Sequence, residues 1–173
     1  MFARTARLTL RPGWPEDAPA LARAIAYEEV AFKLSRLPWP YTLADAEWWL
    51  GHPHSDGATR LVIVAHDRGP TPELVGGIGL HPAEDGWDQG VEIGYWLTPA
   101  AWGCGYATEA GGAVIAMARH ALGLPRLLGR HMIDNPSSGK VLRKLGFQEK
   151  GTGRIACLAR GEEVDCATFE LAL

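Results

Sequence analysis

The segment Leu97-Thr98-Pro99-Ala100-Ala101-Trp102-Gly103-Cys104-Gly105-Tyr106-Ala107-Thr108-Glu109-Ala110 decides how the rest of the chain is read. Ahead of it, Val91-Glu92-Ile93-Gly94-Tyr95-Trp96-Leu97 is an apolar, β-favouring run and predicts a strand. Behind it, Ala107, Ala110, Val114, Met117, Ala118 and Ala121 recur at steps of three and four, the period of a helix face. A glycine-rich turn therefore feeds a strand into the first turn of a helix. A helix start carries backbone N–H groups without intrahelical acceptors and the positive end of the dipole, and small residues let an anion come close. Phosphate is the ligand that suits such a place. The structural alternative is an ordinary strand-to-helix turn whose glycines satisfy local geometry.

Missing patterns narrow the phosphate ligand. No G-x-x-x-x-G-K-[ST] occurs, which disfavours a P-loop nucleotide site. The glycines read G-x-G-x-x-T in mid-chain rather than G-x-G-x-x-G at the opening of a βαβ unit, which disfavours a dinucleotide. The 173 residues are 47% hydrophobic, enough for one domain, residues 1–173, with a sizeable core. A net charge of -3 without a basic block leaves no electrostatic footprint for direct nucleic-acid binding. No apolar run reaches membrane-spanning length, and Met1 to Arg7 lacks a signal-peptide core, so the expected location is cytoplasmic. Cys104, Cys157 and Cys166 have no metal-ligand spacing, and His52 and His54 read as exposed loop residues, so no metal is expected.

Taken in order, Arg7–Arg11 alternates as a strand, and Pro15-Glu16-Asp17 opens a helix that buries Ala18, Leu21, Ala22, Ile25 and Val30. Thr42-Leu43-Ala44-Asp45 is an N-cap signature for a short helix reaching Leu50. Strands follow at 60–65 and 74–80, with a turn from Asp85 to Gly90 leading into the central strand. After the long helix come a strand at 126–133, a short helix from Gly139 to Leu145 stopped by Gly146, and strands at 154–159 and 163–171. Placing Gly161 and Glu162 in a two-residue hairpin turn sets Cys157 opposite Cys166, as free thiols. The order is an α/β layer with a mixed central sheet and helices on its faces.

Four pieces, in order across nearly the whole chain, resemble the GCN5-related N-acetyltransferase (GNAT) superfamily, in its ribosomal-protein-alanine N-acetyltransferase (RimJ/RimL-like) branch. They are Arg7-Leu8-Thr9-Leu10-Arg11-Pro12 with Glu16-Asp17-Ala18, and Pro38-Trp39-Pro40-Tyr41-Thr42-Leu43-Ala44-Asp45-Ala46. The third is Glu92-Ile93-Gly94-Tyr95-Trp96 with Trp102-Gly103-x-Gly105-Tyr106-Ala107-Thr108-Glu109-Ala110, and the fourth Asn135-x-x-Ser138 with Leu142-x-x-Leu145-Gly146-Phe147. Gly103 and Gly105 fill the small positions of the family's [QR]-x-x-G-x-[GA] loop, while Ala100 stands where its Gln or Arg is usual.

The resemblance implies a single GNAT-type domain that uses acetyl-CoA as co-substrate and transfers acetyl to a primary amine by direct attack on the thioester. It implies pyrophosphate binding by backbone N–H groups of Trp102, Gly103, Cys104, Gly105, Tyr106, Ala107 and Thr108, pantetheine contacts from Trp96 and Leu97, and a cofactor contact from Asn135. Asn135 equally suits a helix cap. A backbone N–H near Tyr95 or Trp96 would polarise the thioester carbonyl. Glu92 is the candidate base, sharing a strand face with Gly94 and Trp96, and a cross-strand ion pair is its alternative role. Ser138 is the candidate acid if thiolate departure uses one, with a plain helix-start hydroxyl as its alternative role, and the family's more usual Tyr is absent from 140–142.

Trp39 and Tyr41 are candidates for lining the acceptor pocket, with packing as the alternative. Glu28, Glu29, Asp45 and Glu47 either attract a cationic acceptor or form solvated faces. The expected partner is an amine acceptor, a protein N-terminus ahead of a small amine, amino acid, polyamine or antibiotic; a non-catalytic acyl-CoA-binding module is a further class. No nucleic acid and no membrane are expected as partners, and a homodimer stays open.

Overall fold

The computed structural model describes residues 2–52, 58–83 and 89–173. The described residues form eight strands: β1 (Ala3–Arg4), β2 (Leu8–Arg11), β3 (Thr59–Ala65), β4 (Glu73–Pro82), β5 (Val91–Leu97), β6 (Arg126–Met132), β7 (Gln148–Cys157) and β8 (Glu162–Ala172). Five helices join them: α1 (Ala18–Ile25), α2 (Glu28–Ala31), α3 (Leu43–Gly51), α4 (Tyr106–His120) and α5 (Pro136–Lys144). The sheet order is β1-β2-β3-β4-β5-β6-β8-β7, and among the described residues the only parallel neighbours are β5 and β6. The mixed sheet with helices on both faces is the architecture expected from the element order.

Each face has its own core. On one, Ala110, Val114 and Ala118 of α4 and Leu142 of α5 pack on Leu10, Ile63, Leu80, Ile93, Leu97 and Phe169. On the other, Ala18 and Leu21 of α1 meet Ala46 of α3, with Tyr41, Leu74 and Trp96 packed against them. Burial of these side chains supplies the main favourable term of folding, about 1.5–3 kcal/mol for each fully buried large aliphatic. The helix starts use their local signals: Thr42 and Asp45 form a reciprocal capping box at α3.

Several boundaries differ from the sequence reading. The first helix stops at Ile25, and Val30 is buried from the separate short α2. Helix α5 starts at Pro136 rather than Gly139, because Pro is tolerated where the first N–H has no acceptor. The β7–β8 register corrects the hairpin: Cys157 pairs with Glu162 and Cys166 faces Gly153, so the two cysteines are not opposed. The loop is four residues long, closed by Gly161 N–H to Cys157 C=O at 2.9 Å, with Gly161 at φ 68°. All three cysteines are free thiols. The turn at Asp85 to Gly90 lies for the most part, and His54 wholly, outside the described residues; His52 stacks on Trp48 at 4.2 Å between ring centroids.

Candidate active site

Strands β5 and β6 are each seven residues long yet share a single ladder position, Glu92 with Leu128. Beyond it the ladder stops, and the unpaired facing edges of the two strands mark the candidate cleft. On its other edge β5 pairs with β4 along its whole length, and Thr98 N–H reaches Val75 C=O at 2.8 Å. An antiparallel ladder alternates its bonded pairs, so Trp96 and Gly94 direct their backbone groups to β4. Ile93, Tyr95 and Leu97 then direct theirs towards β6. This corrects the assignment of Trp96 as a backbone donor to the cleft, which passes to Tyr95; Leu97 keeps its N–H there, while its C=O accepts from Trp102 Nε1 at 2.9 Å. The Trp96 side chain lies on the α1/α3 face, over Gly77, where a Cβ would come within 2.6 Å of its Nε1.

From the end of β5, a single 3-10 turn (Pro99–Ala101) leads to the glycine loop. Gly103 and Gly105 have φ of 75° and 81°, in the left-handed region that favours glycine. Gly105 is the N-cap of the fifteen-residue α4, whose first intrahelical bond runs from Glu109 N–H to Gly105 C=O at 3.1 Å. The N–H groups of Tyr106, Ala107 and Thr108 thus precede the helical ladder, the geometry that binds anions.

The loop is fastened from behind. Arg7 gives Cys104 C=O a bond of 3.0 Å and Glu109 a fork, Nε to Oε2 at 2.8 Å and NH2 to Oε2 at 2.7 Å. Thr5 Oγ1 and Arg7 N–H bond the other Glu109 oxygen at 2.6 and 2.9 Å. Burial pushes the Glu109 carboxyl up, but the bonds from Thr5 and Arg7 outweigh it and hold it below its ordinary value. The Tyr106 hydroxyl donates to Asp67, tying the first turn of α4 to the end of β3. An ionised Glu109 in that turn would repel phosphate, and Arg7 neutralises it. Trp102 is 48% exposed and Cys104 is exposed, both on the rim of the loop.

Across the cleft from β5, Asn135 stands at the N-cap of α5 without a side-chain capping bond. Ser138, in the first turn of α5, meets Tyr95 of β5: Tyr95 OH lies 2.9 Å from Ser138 Oγ and 3.1 Å from its C=O. Burial, partly offset by the Ser138 bond, pushes the Tyr95 phenol up to about 12, so it stays a neutral donor. Tyr95 is a site residue that motif reading missed as a side chain. Its strand parity, opposite to Glu92, was the available signal.

Glu92 lies on the α1/α3 face as its parity requires, but it is engaged. Arg130 of β6 donates Nε to Oε1 at 3.1 Å and NH2 to Oε2 at 2.8 Å, with both side chains more than nine-tenths buried. Each Glu92 oxygen thus accepts one N–H of the same guanidinium, the two-bond geometry of a carboxylate–arginine pair. The cross-strand ion pair is therefore the role this geometry serves.

On the same face, the segment after α2 is tied down at three places. Lys33 Nζ bonds Asp134 C=O at 2.8 Å, Leu158 N–H bonds Ser35 C=O at 2.9 Å, and Arg160 reaches both Phe32 C=O and Asp134. Trp39 is 37% exposed, whereas Tyr41 packs against the α1/α3 core, where burial pushes its phenol up to about 12. Of the acidic candidates, Asp45 is committed to the α3 cap, and Glu28 and Glu29 are exposed on α2.

Parallel neighbours that part after one ladder position, followed by an amide-lined helix start, are the arrangement an acyltransferase can use. Residues 7–148 match the family described as Acetyltransferase (GNAT) domain. The chain is 31% identical over 171 residues to the uncharacterized N-acetyltransferase p20 of Bacillus licheniformis, covering 96% of this chain and 93% of that one. It is 33% identical over 105 residues to the uncharacterized N-acetyltransferase YoaA of Bacillus subtilis, a match spanning 61% of this chain and 59% of that relative. In fold it resembles RimL, a ribosomal L7/L12 alpha-N-protein acetyltransferase solved with coenzyme A, at a TM-score of 0.78 and 18% identity, covering 100% of this chain and 98% of that one. The chain belongs to the GNAT acetyltransferase family and is an N-acetyltransferase.

Among the described residues no helix is long and apolar enough to cross a membrane, and no group of His, Cys, Asp and Glu is arranged to hold a metal.

Proposed function

We propose that the protein transfers the acetyl group of acetyl-CoA to a protein N-terminal α-amine. The observation that carries this reading is the junction of two features: the bare N–H groups at the start of α4, and the β5–β6 cleft that begins one strand earlier. Trp102 to Thr108 would hold the pyrophosphate, chiefly through the amides following Gly103 and Gly105. Leu97 N–H and the Asn135 side chain suit the pantetheine arm, and Tyr95 N–H suits the thioester oxygen, where a fixed amide stabilises developing negative charge. The bound co-substrate supplies an activated acetyl thioester. Ser138, held by the Tyr95 hydroxyl, is positioned to donate to a departing thiolate.

The choice of acceptor rests on proton supply. An α-amine with a pKa near 8 is roughly a tenth neutral at pH 7, while a lysine amine near 10.4 is below about a thousandth. With Glu92 engaged by Arg130, an acceptor needing little base is favoured, and RimL, which shares the fold, is named as an alpha-N-protein acetyltransferase. Trp39, at the edge of the pinned 32–41 segment, is the candidate wall for that acceptor, and a cytoplasmic setting is part of the proposal. Intact-mass screening with acetyl-CoA against unblocked peptides, N-terminally blocked lysine peptides and small amines tests the reading. Mass gain of 42 Da confined to unblocked peptides supports it, and gain confined to small amines overturns the protein-acceptor assignment.

A further inference from the structure

The one point where β5 and β6 pair is also where the buried Glu92–Arg130 ion pair stands. Glu92 is itself the β5 residue of the single ladder position, and Arg130 lies two residues beyond Leu128 on β6, in the direction of divergence. The carboxylate therefore reaches across the first step of the opening. On the opposite face of the sheet, the Tyr95–Ser138 contact spans the same opening three residues further along β5. Parallel strands with unpaired facing edges have two easy failures: they zip together, or they spread. Backbone groups left bare in a narrow gap favour pairing, and nothing in the β5–β6 ladder beyond Glu92 resists spreading.

We propose that Arg130 is a positioning residue, and that the Glu92–Arg130 fork is a clasp that sets the opening angle of the cofactor cleft. Two parallel N–H···O bonds fix distance and plane together, which a single-point contact does not. Both groups are buried, so the interaction is little weakened by water or salt. The clasp holds Tyr95 and Leu97 N–H at the separation from β6 that a pantetheine arm requires. Glu92 serves the reaction through geometry. This inference rests on the proposed acetyl-CoA site between β5 and β6.

The test separates fold from cleft. Arg130→Met leaves a buried carboxylate unpaired and lowers both the melting temperature and acetyl-CoA affinity. In Glu92→Met/Arg130→Met the desolvated charges are gone, and such apolar replacement of a buried pair is often neutral for stability. The double variant is expected to melt within a few degrees of wild type, while its KM for acetyl-CoA stays at least tenfold raised and its pH–rate profile keeps the wild-type shape. Arg130→Lys, which retains the charge without the fork, is expected to fold and to show the same rise in KM, and it decides the matter if the double variant does not fold. Recovery of both melting temperature and KM in the double variant, or a wild-type KM in Arg130→Lys, overturns the clasp. Loss of the acidic limb in Glu92→Gln with unchanged acetyl-CoA affinity overturns it in favour of a base. A wild-type protein that shows no acetyl-CoA-dependent rise in melting temperature refutes the cofactor site itself, which is a separate outcome.

Discussion

Arg7 illustrates how one side chain serves the cofactor loop without facing the cofactor cleft. It neutralises Glu109 in the first turn of α4 and holds Cys104 C=O, so removing its side chain leaves the carboxylate bonded by Thr5 and the Arg7 N–H but without a counter-charge beside the proposed phosphate site. Arg7→Ala is expected to weaken acetyl-CoA binding about tenfold, and Arg7→Ala/Glu109→Gln to recover most of that loss, because a neutral amide no longer repels the anion. Isothermal titration checks both; equal affinity in the single variant and wild type would leave Arg7 with a purely structural duty. At Ser138 the expected effect is on turnover. Thiolate is a good leaving group, so Ser138→Ala should lower kcat by about tenfold, the low side of general-acid effects, with little change in KM. Tyr95→Phe should do the same by releasing Ser138, and a normal kcat in both would remove the pair from the reaction. Motif spacing singled out the glycine loop, Asn135 and Ser138 as candidates in the sequence. The Arg130 partner of Glu92 was not, because it lies 38 positions away and depends on which strands become neighbours.

At the scale of elements, the strand–loop–helix unit was legible because its periodicities change from two to 3.6 across a glycine turn. The direction of the backbone groups on β5 was not legible. Sequence parity assigns side chains to faces, but only the register against β4 tells that Tyr95, not Trp96, turns its N–H to the cleft. The hairpin carries the same lesson: placing Gly161 in a two-residue turn misregisters β7 and β8, whereas the observed four-residue loop uses Gly161 at φ 68° to close on Cys157. The loop after α2 shows an order that composition conceals, since its anchors on Asp134, Leu158 and Arg160 come from distant elements. Asp134→Ala removes the carboxylate that both Lys33 and Arg160 hold. Proteolysis within residues 32–41 is expected to accelerate severalfold in that variant while the melting temperature falls by only a few degrees, as local opening costs less than global unfolding. Unchanged cleavage would show that the bonds from Leu158 N–H to Ser35, from Arg160 to Phe32 C=O and from Lys33 to Asp134 C=O hold the segment without the carboxylate.

At the scale of the whole molecule, the paired carboxylates set the acid limit of stability. The Arg11 bond holds Asp17 below its ordinary 3.8 against the effect of burial, and at Asp134 the bonds from Arg160 and Lys33 outweigh burial to the same end. Glu109 behaves likewise, below 4.5. Groups whose folded pKa is depressed contribute fully above the unfolded values near 4, and the contribution fades as pH falls through the folded values. The urea midpoint should therefore be level from about pH 7 to 5 and fall below about pH 4, with a shallower acid fall in Asp17→Asn; an identical fall in that variant would assign the sensitivity elsewhere. The central claim, that the start of α4 holds the phosphates of acetyl-CoA, is tested most directly at Gly103, where an added Cβ meets nothing within 4 Å. Asn and Asp both tolerate its φ of 75° and differ chiefly in charge. Acetyl-CoA at 100 times its Kd should stabilise the wild type by about 2.7 kcal/mol, a rise of roughly 5–10 °C in Tm for a chain of this size. The account predicts that Gly103→Asn keeps most of this rise at that acetyl-CoA concentration and Gly103→Asp loses it; an equal rise in the two variants would contradict it.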